Sequence, residues 1–241
     1  MQSAIYVGLS AQLVLEKRME TLARNVANMN TAGYRAEEVK FSTFLSKKGP
    51  DGVNFASEGE SFINRMQGGV DKTGNPLDVA VEGDGFLAIS TPAGTVYTRD
   101  GRMKITAQGE LQTHSNYPVL DAGGSPMLLD PEGGPPVIAK DGMIWQGNQQ
   151  VGALGLFTID PNAKLQRYEN SGVIPDKAAT PILDFVTNGV RQGFVEGSNV
   201  NPIREMAKLI MVTRAFESAA NAIDKGEKSV DGAIRSLGET N

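Results

Sequence analysis

Toward the C-terminus, residues Met206, Leu209, Thr213, Phe216, Ala220, Ile223, Glu227, Val230, Ile234 and Leu237 follow a 3–4 alternation that is apolar except at Thr213 and Glu227. Sustained over about four and a half heptads, this pattern predicts a long helix with one apolar seam. Asn201 can cap its first turn, Pro202 suits a first helical position whose N–H would be unpaired anyway, and Glu205 complements the helix dipole. Gly238 marks the stop. At the other end of the chain Leu15, Met19, Leu22, Val26 and Met29 repeat the spacing up to the breaker Asn30-Thr31-Ala32-Gly33, so a second helix is expected there. A helix over 202–237 would be roughly 50 Å long, more than a small domain is wide. Isolated helices are marginal in water, so the two ends need each other or neighbours.

The centre carries a different period. Short apolar or alternating runs at 77–81, 86–90, 95–99, 103–106, 110–113, 118–120, 143–146, 154–159 and 182–186 are separated by turn residues, which predicts an all-β sandwich or barrel. Asp100-Gly101 between two such runs reads as a two-residue hairpin turn, and Ala107-Gln108-Gly109 as the next turn in a longer loop. The expected fold is therefore α+β, with long N- and C-terminal helices forming a coiled-coil or bundle layer around a central all-β domain. The expected organisation is a helical segment over 1–34, a linker of weak periodicity over 35–69, a β-rich domain over 70–197 and a C-terminal helix over 198–241.

Composition narrows the function classes. With 241 residues and 40% hydrophobic content the chain can bury a core,. Its 28 Gly and 12 Pro cluster between about 68 and 197, in keeping with a turn-rich centre,. A net charge of −5 with both signs interleaved offers no basic face for nucleic acid,. The absence of cysteine excludes disulfides and Cys-ligated zinc,. The N-terminus lacks the basic opening and apolar block of a cleaved leader, and no stretch reaches the ~18 apolar residues of a membrane span. Export without a cleaved signal and without membrane insertion is the expectation.

Three segments look chemical and fail on context. Gly83-Asp84-Gly85-Phe86-Leu87-Ala88 fits a dinucleotide-binding pattern, but that motif must open a helix, and here it opens a run that reads as strand. Asp71 to Glu82 has the span of a calcium loop, yet Pro76 stands where the sharp turn needs Gly. His114 is the only histidine, which leaves little for a histidine metal site or a catalytic relay,. Asp78, Glu82 and Asp84 could pair, though spacing alone does not place them across a substrate. No catalytic, cofactor or metal residues are expected, and the chain reads as a non-enzyme. A ligand-binding β domain with a coiled-coil stalk is the rival class.

The stretch Leu22-Ala23-Arg24-Asn25-Val26-Ala27-Asn28-Met29-Asn30-Thr31-Ala32-Gly33-Tyr34-Arg35 resembles the N-terminal signature of flagellar rod, hook and hook-associated proteins. Three further segments agree in order: Gly74 to Phe86, then Tyr97-Thr98-Arg99-Asp100-Gly101, then Gly197-Ser198-Asn199-Val200-Asn201 with Glu205-Met206 and Arg214-Ala215-Phe216-Glu217. The opening Met1 to Ser10, the segment Gly33 to Phe41 and the single β centre resemble the proximal-rod branch most, with a distal-rod or hook-type axial protein as the alternative. Met29 and Arg24 depart from residues common in the family.

The resemblance implies a structural subunit of the basal-body rod, exported through the flagellar type III apparatus, assembled in the periplasm with copies of itself and other rod proteins, and transmitting torque. The residues expected at the assembly interface are Leu15, Met19, Leu22, Asn25, Val26, Asn28, Met29, Met206, Leu209, Phe216, Ala220, Ile223, Val230, Ile234 and Leu237. Asn25, Asn28 and Asn30 either hydrogen-bond across helices or cap the turn before Gly33.

Overall fold

In a computed structural model the backbone is described for residues 2–41, 43–46, 53–56 and 59–238, and the side chains for 6–41, 59–229, 232, 235 and 238. The fold is α+β, with one helix at each end of the chain and antiparallel strands between. It forms two compact units, one of Met1–Ala27, Glu37–Phe62 and Asn201–Asn241, the other of Asn28–Ala36 and Ile63–Val200.

The first unit holds both helices, α1 (Gln2–Ala27) and α2 (Pro202–Gly238). The start of α2 follows its cap: Arg204 N–H donates to Asn201 Oδ1 at 3.0 Å and Glu205 N–H to Asn201 O at 3.0 Å,. The first helix stops at Ala27, before the expected breaker, because Asn28 already turns the chain. Its carbonyl accepts Thr31 N–H at 3.1 Å and its side chain accepts the Thr31 hydroxyl at 3.1 Å,. The span 35–69, expected as a linker, contributes strands to the described structure. Glu37–Lys40 pairs with Glu60–Ile63, and Thr43–Ser46 pairs antiparallel with Val53–Ala56, which lies beside α1.

The second unit is built on a six-stranded antiparallel sheet in the order Leu165–Tyr168, Gly172–Pro175, Gly94–Thr98, Phe86–Thr91, Leu156–Thr158, Thr180–Pro181. Its main core joins Val79, Val81, Leu87, Ile89, Val96 and Leu111 with residues of the surrounding shorter ladders. Gly83-Asp84-Gly85 is a turn, with Gly83 at φ 75, between strands Val79–Glu82 and Phe86–Thr91. A strand, not a helix, follows it. His114 is an exposed residue just after the strand Leu111–Thr113.

Two expectations fail. Asp100-Gly101 is not a hairpin turn: Gly94–Thr98 pairs with its sheet neighbours, while Met103–Ile105 pairs with Leu111–Thr113 across the Ala107-Gln108-Gly109 turn. At Gly101 the chain instead crosses Val79. A Cβ there would lie 1.9 Å from the Val79 carbonyl, and Val79 N–H donates to Gly101 O at 2.9 Å. The dipeptide is small because two backbones meet, not because a strand reverses. The run 182–186 is no strand either: Ile182 N–H donates to Leu156 O at 2.8 Å, after which Leu183 and Val186 face solvent. Pro118–Leu120 makes only isolated single bridges, to Gln112, Ile89 and Pro126.

Candidate functional site

Three contacts fix the geometry of the helix pair. A Cβ added at Gly8 would lie 2.9 Å from Ile223 Cγ1, Thr213 Oγ1 lies 3.8 Å from Met19 Sδ, and Asn25 Nδ2 donates to Glu205 Oε2 at 3.2 Å. Partners on α2 fall as residues on α1 rise, so the helices are antiparallel over some 17 residues, roughly 25 Å of axis.

The covered face of α2 is rotated from the expected seam. It runs through Glu205, Leu209, Val212, Phe216, Ala219 and Ile223, with Val212 only 4% exposed, while Met206 is 52% exposed. Periodicity alone could not choose between neighbouring stripes, because α2 is apolar on both sides over its first turns. On α1, Leu22 and Asn25 are buried and Leu15, Met19 and Val26 are half-buried. Leu209, Phe216, Ala220 and Ile223 are half-buried on α2. Val230, Ile234 and Leu237 lie on α2, but their side chains are outside the described residues. Met29 lies beyond α1 and packs with Tyr34, Ala36 and Val200 in the β unit.

The asparagines divide between the two roles. Asn25, 1% exposed, donates to Glu37 O at 2.9 Å as well as to Glu205, and accepts Glu37 N–H at 2.9 Å. One amide thus ties α1 to α2 and to the strand after it. Asn28 caps locally, and Asn30 is exposed. Glu205, expected only as a dipole partner, is buried and also meets Lys208 Nζ at 2.7 Å. This buried polar set fixes which turns of the helices face each other.

A second buried set lies within the β unit, where its short segments 28–36 and 196–200 meet. Glu196 is 0% exposed; its Oε1 is 2.7 Å from Arg35 Nη2 and its Oε2 accepts Arg99 Nη1 at 3.2 Å. The Arg35 contact is an ion pair without hydrogen-bond alignment, and Arg35 Nε and Nη1 meet no acceptor among the described residues. Burial therefore pulls the Arg35 guanidinium down to about 10, against the opposing pull of Glu196,. It remains charged at neutral pH. Burial lowers Arg99 as well, although Val81 O (3.0 Å) and Gly83 O accept from it. Gly33 N–H donates to Glu196 O at 2.8 Å, and Asn199 Oδ1 accepts Ala36 N–H at 2.6 Å. Gly33, at φ 67, is packed so closely on Asp100 that a Cβ would lie 2.3 Å from its nitrogen,. Sequence reasoning saw these segments as motifs and missed the charge cluster, since nothing in their spacing shows that Arg35, Arg99 and Glu196 converge.

The carboxylates Asp78, Glu82 and Asp84 do not converge on one another among the described residues. Asp78 accepts from Asn75 at 3.0 Å, Glu82 pairs with Arg191, and Asp84 is exposed. Among the described residues no three His, Cys, Asp or Glu gather as metal ligands, and no helix is long and apolar enough to cross a membrane. In the β unit a polar cavity of about 70 Å³ lies beside Thr98, Asp100, Arg102, Tyr117 and Tyr168. It is below the size of small-molecule sites, and its Asp100 and Arg102 already neutralise each other at 2.7 Å.

Comparison with known proteins agrees along the whole chain. Residues 5–35 match the flagella basal body rod protein model, 80–175 the flagellar hook protein FlgE/F/G D1 domain, and 191–234 the flagellar basal body rod FlgEFG protein C-terminal model. The chain is 49% identical to the flagellar basal-body rod protein FlgF of Mesorhizobium japonicum over 99% of both chains, and 36% identical to that of Caulobacter vibrioides over 100% of both. Against the flagellar basal-body rod protein FlgG of Bacillus subtilis the identity is 26%, over 95% of this chain and 96% of the relative. The chain belongs to the flagellar basal-body rod protein family and is most like its FlgF members.

Proposed function

We propose that this chain is a structural subunit of the proximal rod, in which paired terminal helices pack against those of neighbouring subunits to line the axis. The observation that carries this reading is the helix pair. It covers one face of each helix and leaves Tyr6, Leu9, Leu13, Ile203, Met206, Ile210 and Met211 exposed. Helices apolar on two faces belong between partners, not at a free surface. Burial on α1 is concentrated at Thr21, Leu22 and Asn25, while Val7, Val14 and Leu15 are only half-covered. Assembly would complete that cover and offset the cost of ordering the helices.

The proposal includes export through the flagellar type III apparatus, assembly in the periplasm and transmission of torque. The higher identity to FlgF than to FlgG relatives favours a proximal over a distal position. The test is crosslinking mass spectrometry on purified hook–basal bodies, following Lys17, Lys208 and Lys225 on the helices. Links to rod subunits are expected; absence of this chain from the particles, or links to filament components alone, would refute the reading.

A further inference from the structure

The segment Asn28–Ala36 is a strap. It belongs to the β unit, while the residues before it, up to Ala27, and after it, from Glu37, belong to the helical unit. The chain passes between the units at 27–28, 36–37, 62–63 and 200–201, and the strap carries the first two of these crossings. Its inner side is buried through Ala32, Tyr34, Arg35 and Ala36. Hydrogen bonds to its backbone fasten it: Gly33 N–H donates to Glu196 O at 2.8 Å, Asn64 N–H to Ala36 O at 2.8 Å, Asn199 N–H to Tyr34 O at 3.2 Å and Ala36 N–H to Asn199 Oδ1 at 2.6 Å. Arg167 adds a bond to Arg35 O at 2.5 Å, and its guanidinium lies 4.4 Å over the Tyr34 ring. None of these fastenings uses the side chain of Arg35.

That side chain is surplus to the charge balance around it. Glu196 Oε2 accepts Arg99 Nη1 at 3.2 Å and Glu196 Oε1 accepts Gly68 N–H at 3.2 Å, while Arg99 also donates to Val81 O at 3.0 Å and to Gly83 O. One carboxylate and one guanidinium are thus matched before Arg35 is counted. Arg35 brings a second positive charge to the same carboxylate, with its side chain 2% exposed and Nε and Nη1 facing no acceptor among the described residues. Asp84 attracts it as well, but Asp84 is exposed, and water screens that attraction. Burial, helped by repulsion from Arg99, outweighs both carboxylates and holds the guanidinium at about 10, below its ordinary value,. The charged form is therefore less stable in the folded chain than in water, and it is the form present at neutral pH.

We infer that Arg35 is a release catch: its surplus buried charge lets the strap 28–36 lift off the β unit as a step of its own, easier than unfolding of the sheet. Lifting returns the guanidinium to water and leaves Arg99 with Glu196. Removing one partner of a matched buried pair is strongly destabilising because the other is left unpaired, whereas removing the Arg35 side chain leaves a matched pair behind. Openings of low cost confined to one segment are a general property of folded chains. With the strap lifted, the β unit keeps its core and its six-stranded sheet, and α1 and the strand Glu37–Lys40 lose their fixed junctions with it. The strap and its fastenings lie within the β unit, so the catch works whatever the helices pack against.

Hydrogen exchange of the full-length chain, followed amide by amide by NMR, tests this. The amides of Gly33, Ala36 and Asn199 report the strap, and the hydrogen-bonded amides of Phe86–Thr91 and Gly94–Thr98 report the sheet. In the unaltered chain the strap amides should exchange at least tenfold faster than the sheet amides. Arg35→Met, which keeps an unbranched stem and drops the charge, should slow the strap amides at least tenfold and raise the urea midpoint read by Trp145 fluorescence. Arg35→Lys, which keeps the charge, should leave strap exchange close to that of the unaltered chain. Strap amides that exchange only together with the sheet would show that there is no separate step. Faster strap exchange, a lower midpoint or a failure to fold in Arg35→Met would show that Arg35 fastens the strap. No change in that variant, or equal slowing in Arg35→Lys, would show that the charge is not the cause. Each of these results overturns the catch.

Discussion

At Asn25 one amide serves the backbone of Glu37 and the carboxylate of Glu205 in a place water does not reach, and at Glu196 one carboxylate holds two buried guanidinium groups. These residues act in different units, so their loss should be read by different probes. Glu196→Gln leaves Arg35 and Arg99 facing each other without their buried counter-charge, a loss that costs about 3–5 kcal/mol,. Trp145, the only tryptophan, lies in the β unit, and its fluorescence in a urea titration should report that loss. Asn25→Ala strands the Glu37 backbone groups and removes a donor from Glu205, at about 1–3 kcal/mol. It should lower the midpoint seen by helical circular dichroism and leave the tryptophan transition in place. A tryptophan midpoint unchanged by Glu196→Gln would show that the cluster is not structural.

The helices as elements are amphipathic in two registers. The inner stripe of α2 is centred on Val212 and covered within the chain, and the outer stripe, centred on Met206, is bare. Leu22→Asp puts a charge at a position 5% exposed in the helix pair, whereas Ile223→Asp puts one where cover is only partial. The expected result is that both variants keep a folded β unit by tryptophan fluorescence and fail to enter basal bodies, and that Leu22→Asp alone loses more than half of the helical signal of the isolated chain. Normal incorporation of both would sink the proposed role of the paired helices.

Over the whole molecule, two compact units with separate cores share one chain that passes between them more than once. The β unit has a large apolar core and a six-stranded sheet; the helical unit rests on one covered face per helix. Denaturation of the isolated chain should therefore be two-step, with helical circular dichroism lost at a lower urea concentration than tryptophan fluorescence. A single coincident transition by both probes would show that the helices are stable only as part of one cooperative core.

Much of this is local and was legible in the residues themselves. The start of α2 follows from Asn201 and Pro202, both helices from 3–4 apolar spacing, and the turn at Gly109 from its flanking runs, because capping, periodicity and φ preference act within a few residues. The family segments were also legible, since they are contiguous. Tertiary structure alone decided the rest. A helix apolar on two sides does not reveal which side its own chain covers, so Val212 replaced Met206 in the seam. A small dipeptide such as Asp100-Gly101 serves a hairpin or a backbone crossing equally well, and only the neighbour, Val79, selects the second. Arg35, Arg99 and Glu196 are far apart in sequence and carry no shared pattern, and they become one site only when the fold removes water from all three, which is when their charges must find each other.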